Sequence, residues 1–177
     1  MKRILLSVLL AVCLTPCVVF ADNTPDSSNG KKIYFAGPMF CMAEKEFNVK
    51  LATVLKKYGY SVFLPQNDGL EAAMLECKTE EELVTLIFNK DVSEILKADI
   101  LFISLDGRVP DEGACVELGI AYANKKRCYG FKTDTRAAEK ELDLNPMIAG
   151  CLIKVFRNFD GEKAIQELEE YLKENRL

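Results

Sequence analysis

Residues 100–105 read Ile-Leu-Phe-Ile-Ser-Leu, six positions with one hydroxyl and no charge. A run this continuous suits a strand in the middle of a parallel sheet, covered by helices on both faces; a strand with one wet face would alternate instead. The pattern repeats outward from it. Upstream, Lys31–Ala36 reads as a first strand closed by Gly37-Pro38. A helix over about 43–58 follows, with Phe47, Leu51, Val54, Leu55 and Tyr58 on one stripe and Gly59 as its stop. Residues 61–64 form a short strand ending at Pro65, and 66–78 form a long polar loop of the kind that often carries function. A helix over about 80–97, with Thr79 as N-cap, then leads into the apolar run. Downstream come a polar loop at 106–112, a helix over about 113–124, strands at 127–131 and 152–156, and a helix over about 162–174 striped by Ala164, Ile165, Leu168 and Leu172.

Strands alternating with helices specify an α/β fold, here a flavodoxin-like, doubly wound, five-stranded parallel sheet with helices on both faces. Ligands of such sheets sit at the carboxyl ends of the strands. Those ends are Gly37-Pro38, Pro65-Gln66, Asp106-Gly107 and Thr133-Asp134.

The 177 residues fit one domain, placed at 31–177, preceded by two segments foreign to it. Lys2 and Arg3, an apolar stretch from Ile4 to Phe20 and the small Ala21 describe a signal peptide over 1–21. Its cleavage would take the net charge from −4 to about −6 by removing those two cations. A membrane anchor and a lipid on Cys17 are the competing readings; Pro16 interrupts the stretch and suits neither. Residues 22–30 are polar and turn-rich, a flexible linker. The expected location is therefore outside the cytoplasm if the leader is genuine and cytoplasmic otherwise, with no stable membrane association after cleavage. Beyond the leader stand Cys41, Cys77, Cys115, Cys128 and Cys151. An odd number at irregular spacing is no disulfide framework, and Cys115, Cys128 and Cys151 read as small core residues. Free thiols sit awkwardly with export.

Composition narrows the chemistry. The chain has no histidine, which removes Ser-His-Asp triads and His-ligated zinc. No Lys/Arg cluster exists, so phosphate-led nucleic-acid binding is not expected. No Gly-x-Gly-x-x-Gly follows the first strand and no Walker motif is present. Asp91 and Glu117 break their local pattern, and Asp111 and Tyr34 stand out less. Asp91 lies on the helical wheel among Val84, Ile87, Phe88 and Ile95, where a carboxylate is costly unless paired or used. It is either a backbone-bonded aspartate or an acid with a raised pKa that exchanges a proton. Glu117 stands in the small, apolar run Gly113–Ala121, early in its helix, where the helix N-terminus favours an ionised carboxylate fit to be a nucleophile. A capping glutamate or a core ion pair is the alternative. Asp111 is an ordinary loop aspartate on its own. Tyr34, in the first strand, needs a partner for its hydroxyl or is simply a core tyrosine.

In order along the chain, the segments Ile33–Phe40, Phe63–Gln66, Ile87–Asp91, Ala98–Ile100, Leu105–Gly107, Asp111–Gly113, Glu117–Ala123, Gly130–Arg136 and Asn145–Met147 resemble the nucleoside 2-deoxyribosyltransferase family. The likeness runs over about 31–156. It implies that Glu117 attacks the anomeric carbon, Asp91 protonates the leaving base and Tyr34 orients Glu117. It further implies that Asp111 receives deoxyribose hydroxyls, Gln66 meets the base, and Gly37 and Phe40 line the substrate. Asn145 and Met147 resemble a segment that reaches a neighbouring subunit's site, implying a homo-oligomer. The partners implied are a deoxynucleoside and a free nucleobase, with no metal and no cofactor. The rival activities are hydrolysis of deoxynucleosides or of their 5′-monophosphates, and a nucleoside-binding module without chemistry. Relatives that act on monophosphates carry serines where phosphate binds, and here that position is Asp111.

Overall fold

The computed structural model describes residues 30–67, 71–136 and 142–177; the leader and nearly all of the linker lie outside them. Five strands form one sheet: β1 (Lys32–Ala36), β2 (Ser61–Phe63), β3 (Ile100–Ser104), β4 (Arg127–Lys132) and β5 (Lys154–Arg157). All pair in parallel, in the order β2-β1-β3-β4-β5. This is the flavodoxin-like order, with its switch point between β1 and β3. Every residue of β3 is buried, as its unbroken apolar run requires.

Alternation along the strands splits the core in two. Ile33, Phe35, Ile100, Phe102, Tyr129 and Phe131 face α1 (Met42–Lys57) and α6 (Gly161–Glu174). Tyr34, Ala36, Leu101, Ile103 and Cys128 face α3 (Glu80–Lys97) and α4 (Glu112–Ala123). Aromatic rings fill the first layer, with Phe102 stacked between Phe35 and Phe156 at centroid distances of 5.9 and 6.2 Å. The second layer is closer packed. A Cβ on Gly130 would stand 2.7 Å from Leu105 Cδ1, so Leu105 must shift to admit a side chain in β4 there. Thr79 caps α3 through Glu82 N at 3.1 Å, and Gly59 ends α1 with φ +85°.

Several expectations need correction. The loop at 66–78 contains a 3-10 turn at Pro65–Asn67 and a helix, α2 (Glu71–Glu76). Its Glu-Ala-Ala-Met-Leu-Glu sequence is made of strong helix formers, whose propensity outweighs the polar impression of the whole stretch. The last strand begins at Lys154 rather than 152. Cys151 and Leu152 still close the turns of the short helix α5 (Pro146–Ala149), through bonds to Ile148 O and Ala149 O. Of the three expected core cysteines, Cys128 is buried while Cys115 and Cys151 are half-buried.

The apolar stripe of α3 is also divided. Ile95 is buried on the sheet, but Val84 and Phe88 are 59% and 55% exposed. Eighteen helical residues span about 27 Å, against about 17 Å for a five-residue strand. The N-terminal half of α3 therefore overhangs the carboxyl edge of the sheet, and Asp91 lies where the helix crosses that edge, half-buried rather than fully enclosed.

Candidate active site

The site grows from the α3/α4 face at the carboxyl edge. Tyr34 is fully buried in β1, its ring stacked on Phe63 of β2 at 5.5 Å. Its hydroxyl emerges between the two helices and donates to Glu117 Oε1 at 2.6 Å. Asp91, from α3, is a second hydrogen-bond partner of the same hydroxyl. The phenol stays neutral, pushed far above its ordinary range first by burial and then by the Glu117 carboxylate.

Glu117 is held on α4, a helix of small residues whose Ala114, Leu118 and Ala121 lie flat on the sheet. Burial pushes its carboxyl up to about 7; the Tyr34 hydrogen bond pulls the other way, and the negative charges of Asp91 and Asp111 add to the rise. The expectation that a helix N-terminus would favour the ionised form is overturned. α4 starts at Glu112, so Glu117 sits beyond the first turn, where the dipole has faded and desolvation wins. Asp111 occupies the N-terminus instead, accepting from Ala114 N at 2.8 Å. Three carboxyl groups and one phenol from β1, α3 and α4 thus share one small volume, an arrangement able to pair a nucleophile with a proton donor.

The other expected residues fall around this group. Gly37 lies where β1 leaves the sheet, and an added Cβ would be 3.0 Å from Ser104 Cβ. Phe40 is exposed in the turn before α1. Gln66, in the turn after β2, donates to Lys45 O at 3.0 Å and accepts from Asn48 Nδ2 at 3.1 Å. Asn145 caps α5 by accepting from Met147 N at 2.9 Å and lines a cavity of about 360 Å³ with Leu105, Val109, Leu144 and Ile148. Met147 is exposed. Among the described residues, no group of three or more Cys, Asp or Glu side chains is arranged to hold a metal ion, and no helix is long and apolar enough to cross a membrane.

Two residues that shape the site carry no role in the sequence reading. Asp106 accepts from Thr133 N and Oγ1, both at 2.5 Å, and from Asp134 N at 2.8 Å, while Asp134 accepts from Gly107 N at 3.3 Å. This reciprocal clamp joins the ends of β3 and β4 and fixes the start of the loop bearing Asp111. A strand-end aspartate followed by glycine was its only sequence signal. The other is Asn48, an amide on the buried stripe of α1 beside Leu51, Ala52 and Leu55. A polar residue on that apolar spacing is its sequence signal.

No curated protein sequence matches the chain. Its structure is similar to the 2-deoxyribosyltransferase of the psychrotolerant bacterium Bacillus psychrosaccharolyticus, with TM-score 0.64 and 28% identity over 79% of this chain and 91% of that one. It is also similar to a conserved protein from Enterococcus faecalis, with TM-score 0.61 and 24% identity over 81% and 98% of the two chains. The fold extends to the CMP N-glycosidase of Clostridium botulinum, with TM-score 0.53 and 17% identity over 78% and 99%. The family model for nucleoside 2-deoxyribosyltransferase matches residues 33–175, which contain Tyr34, Asp91, Asp111 and Glu117 alike. The chain belongs to the nucleoside 2-deoxyribosyltransferase family.

Proposed function

We propose that the protein transfers 2-deoxyribose from one nucleobase to another through an ester on Glu117. The observation that carries this reading is the single phenolic hydroxyl shared by two carboxyl groups. Tyr34 has one hydrogen, and it points at Glu117. Asp91, from α3, meets the same hydroxyl. On this reading Glu117, held by the Tyr34 hydrogen bond, is the nucleophile, and Asp91 beside it is the acid.

In the forward half, Glu117 attacks C1′ as the N-glycosidic bond breaks. The bond's electron pair leaves with the base, which takes the Asp91 proton. In the second half a nitrogen of the incoming base attacks C1′, the ester C–O bond breaks, Glu117 recovers its charge and the proton returns to Asp91. Both halves pass through an oxocarbenium-like state, and two inversions give overall retention. Asp111 receives the sugar hydroxyls. Its carboxylate occupies the helix N-terminus where a 5′-phosphate would otherwise be welcome, which favours nucleosides over monophosphates.

The exposed Val84, Phe88 and Met147 support the homo-oligomer, with Asn145 and Met147 serving a neighbour's site. Export through residues 1–21 belongs to the same proposal, and N-terminal sequencing of the mature protein should then begin at Asp22. The test of activity mixes thymidine with free adenine. Deoxyadenosine formed by the wild type and absent with Glu117→Ala establishes transfer and the nucleophile. Thymine release without deoxyadenosine makes the protein a hydrolase, and no thymidine consumption refutes both.

A further inference from the structure

We propose that Asn48 is a positioning residue for base choice: it fixes which way round the Gln66 amide faces the nucleobase. The inference rests on the reading of Gln66 as the base-contacting group.

Asn48 is 3% exposed, on the stripe of α1 that packs against the sheet. An amide at such a place is costly unless its hydrogens are used. Both are: Nδ2 donates to Pro38 O at 2.8 Å and to Gln66 Oε1 at 3.1 Å. One buried side chain therefore ties the turn after β1, the Tyr34 strand, to the turn after its neighbour β2.

The consequence for Gln66 is directional. Its Oε1 is met by a donor, Asn48, and its Nε2 by an acceptor, Lys45 O at 3.0 Å. Turning the amide over would set NH2 against NH2 and oxygen against oxygen, losing both hydrogen bonds. A primary amide has two N–H groups and two lone pairs, and the network takes one of each. One lone pair and one N–H remain on half-buried Gln66, in a fixed order.

Nucleobases present the complementary edge in two opposite orders. Adenine and cytosine carry an exocyclic amine donor beside a ring-nitrogen acceptor. Hypoxanthine and uracil carry an exocyclic carbonyl acceptor beside a ring N–H donor. A Gln66 amide locked one way round prefers one order over the other on the same ring skeleton. An amide free to turn serves both. Asn48 is thus the residue that separates amino-type from oxo-type bases without touching either.

The test measures binding of free bases to the full-length protein by titration calorimetry, comparing adenine with hypoxanthine and cytosine with uracil. Binding needs no turnover, so the readout is independent of Glu117 chemistry. The wild type should favour one type by at least about fivefold, the worth of one net hydrogen bond. Asn48→Ala should shrink that ratio to within about twofold, and Asn48→Asp, which offers acceptors where Asn48 donates, should shift it toward the opposite type. Asn48→Ala should add nothing to the ratio left by Gln66→Ala, as expected for residues acting through one another. Circular dichroism confirms folding; if Asn48→Ala does not fold, the isosteric Asn48→Asp carries the test. A wild type with no preference, or a folded Asn48 variant that keeps the wild-type ratio while Gln66→Ala loses it, overturns the inference and leaves the Gln66 reading intact. A Gln66→Ala protein that keeps the ratio overturns both. A structural role alone would weaken all four bases equally.

Discussion

Replacing Tyr34 by phenylalanine removes the hydroxyl that meets Glu117 and Asp91 and leaves the ring in place. The ring keeps its stack on Phe63 and its place in the core. What disappears is the 2.6 Å bond to Glu117, which opposes the burial that pushes this carboxyl up to about 7. A hydrogen bond to a charged group is worth about 1.5–3 kcal/mol, and 1.36 kcal/mol corresponds to one pKa unit. Glu117 of Tyr34→Phe should therefore titrate about 1–2 units higher. The assay is kcat/KM for thymidine cleavage against pH, which reports the free enzyme. Attack requires the ionised form, so the wild-type rate should climb about tenfold per unit up to about pH 7. The variant's rising limb should be displaced to about pH 8–9, with a deficit of about 10- to 100-fold at pH 6 that narrows at higher pH. A uniform loss at every pH, with the limb still near 7, would refute the claim that Tyr34 works by holding the charge on Glu117.

Because the folded-state pKa of Glu117 is raised, the fold prefers its protonated form and loses stability as pH rises from about 4.5 through about 7. Glu117→Gln should accordingly raise the melting temperature at pH 8 while changing it little at pH 4, as read by thermal denaturation at both values. Glu94 behaves in the opposite sense. Its ion pairs with Lys32 and Lys97 hold its carboxyl down to about 2, so its contribution is complete above about 4.5 and is lost as pH falls toward 2. Glu94→Gln should lower the melting temperature at pH 7, with the gap to wild type closing in acid; an equal gap at both would contradict the ionic account. Gly130→Ala places a methyl 2.7 Å from Leu105 Cδ1 and 3.2 Å from Leu152 Cδ1. It should cost about 1–3 kcal/mol in chemical denaturation, as overpacking does.

The parts of this structure legible in the sequence are those where one local rule dominates. Ile100–Ser104 has a single sensible environment, and it holds that place at the centre of the sheet. Glu117 and Asp91 announced themselves as carboxyl groups in apolar runs, and both meet at Tyr34. What stayed hidden depends on competition or on distance. The helical propensity of Glu71–Glu76 lost to the polarity of its surroundings. The direction of the Glu117 shift could not be read, because it sets a helix dipole against burial, and only the depth of the residue along α4 decides between them. The exposure of Val84 and Phe88 follows from the relative lengths of α3 and the strands, which no window of sequence contains. Asn48 and Asp106 act across the strand ends, on partners 10 to 28 positions away.

Tyr34 belongs both to the Glu117 site and to the sheet interior, and this has an evolutionary consequence. A change at that position is filtered first by folding, before any effect on chemistry is felt. The turns at 37–41 and 65–67 surround the same site from outside the sheet, and substitutions there disturb no strand pairing. A lineage of such proteins can drift in what it accepts while the machinery at its centre stays frozen. Directed evolution toward unnatural bases should draw its libraries from those turns and leave the Tyr34 strand alone.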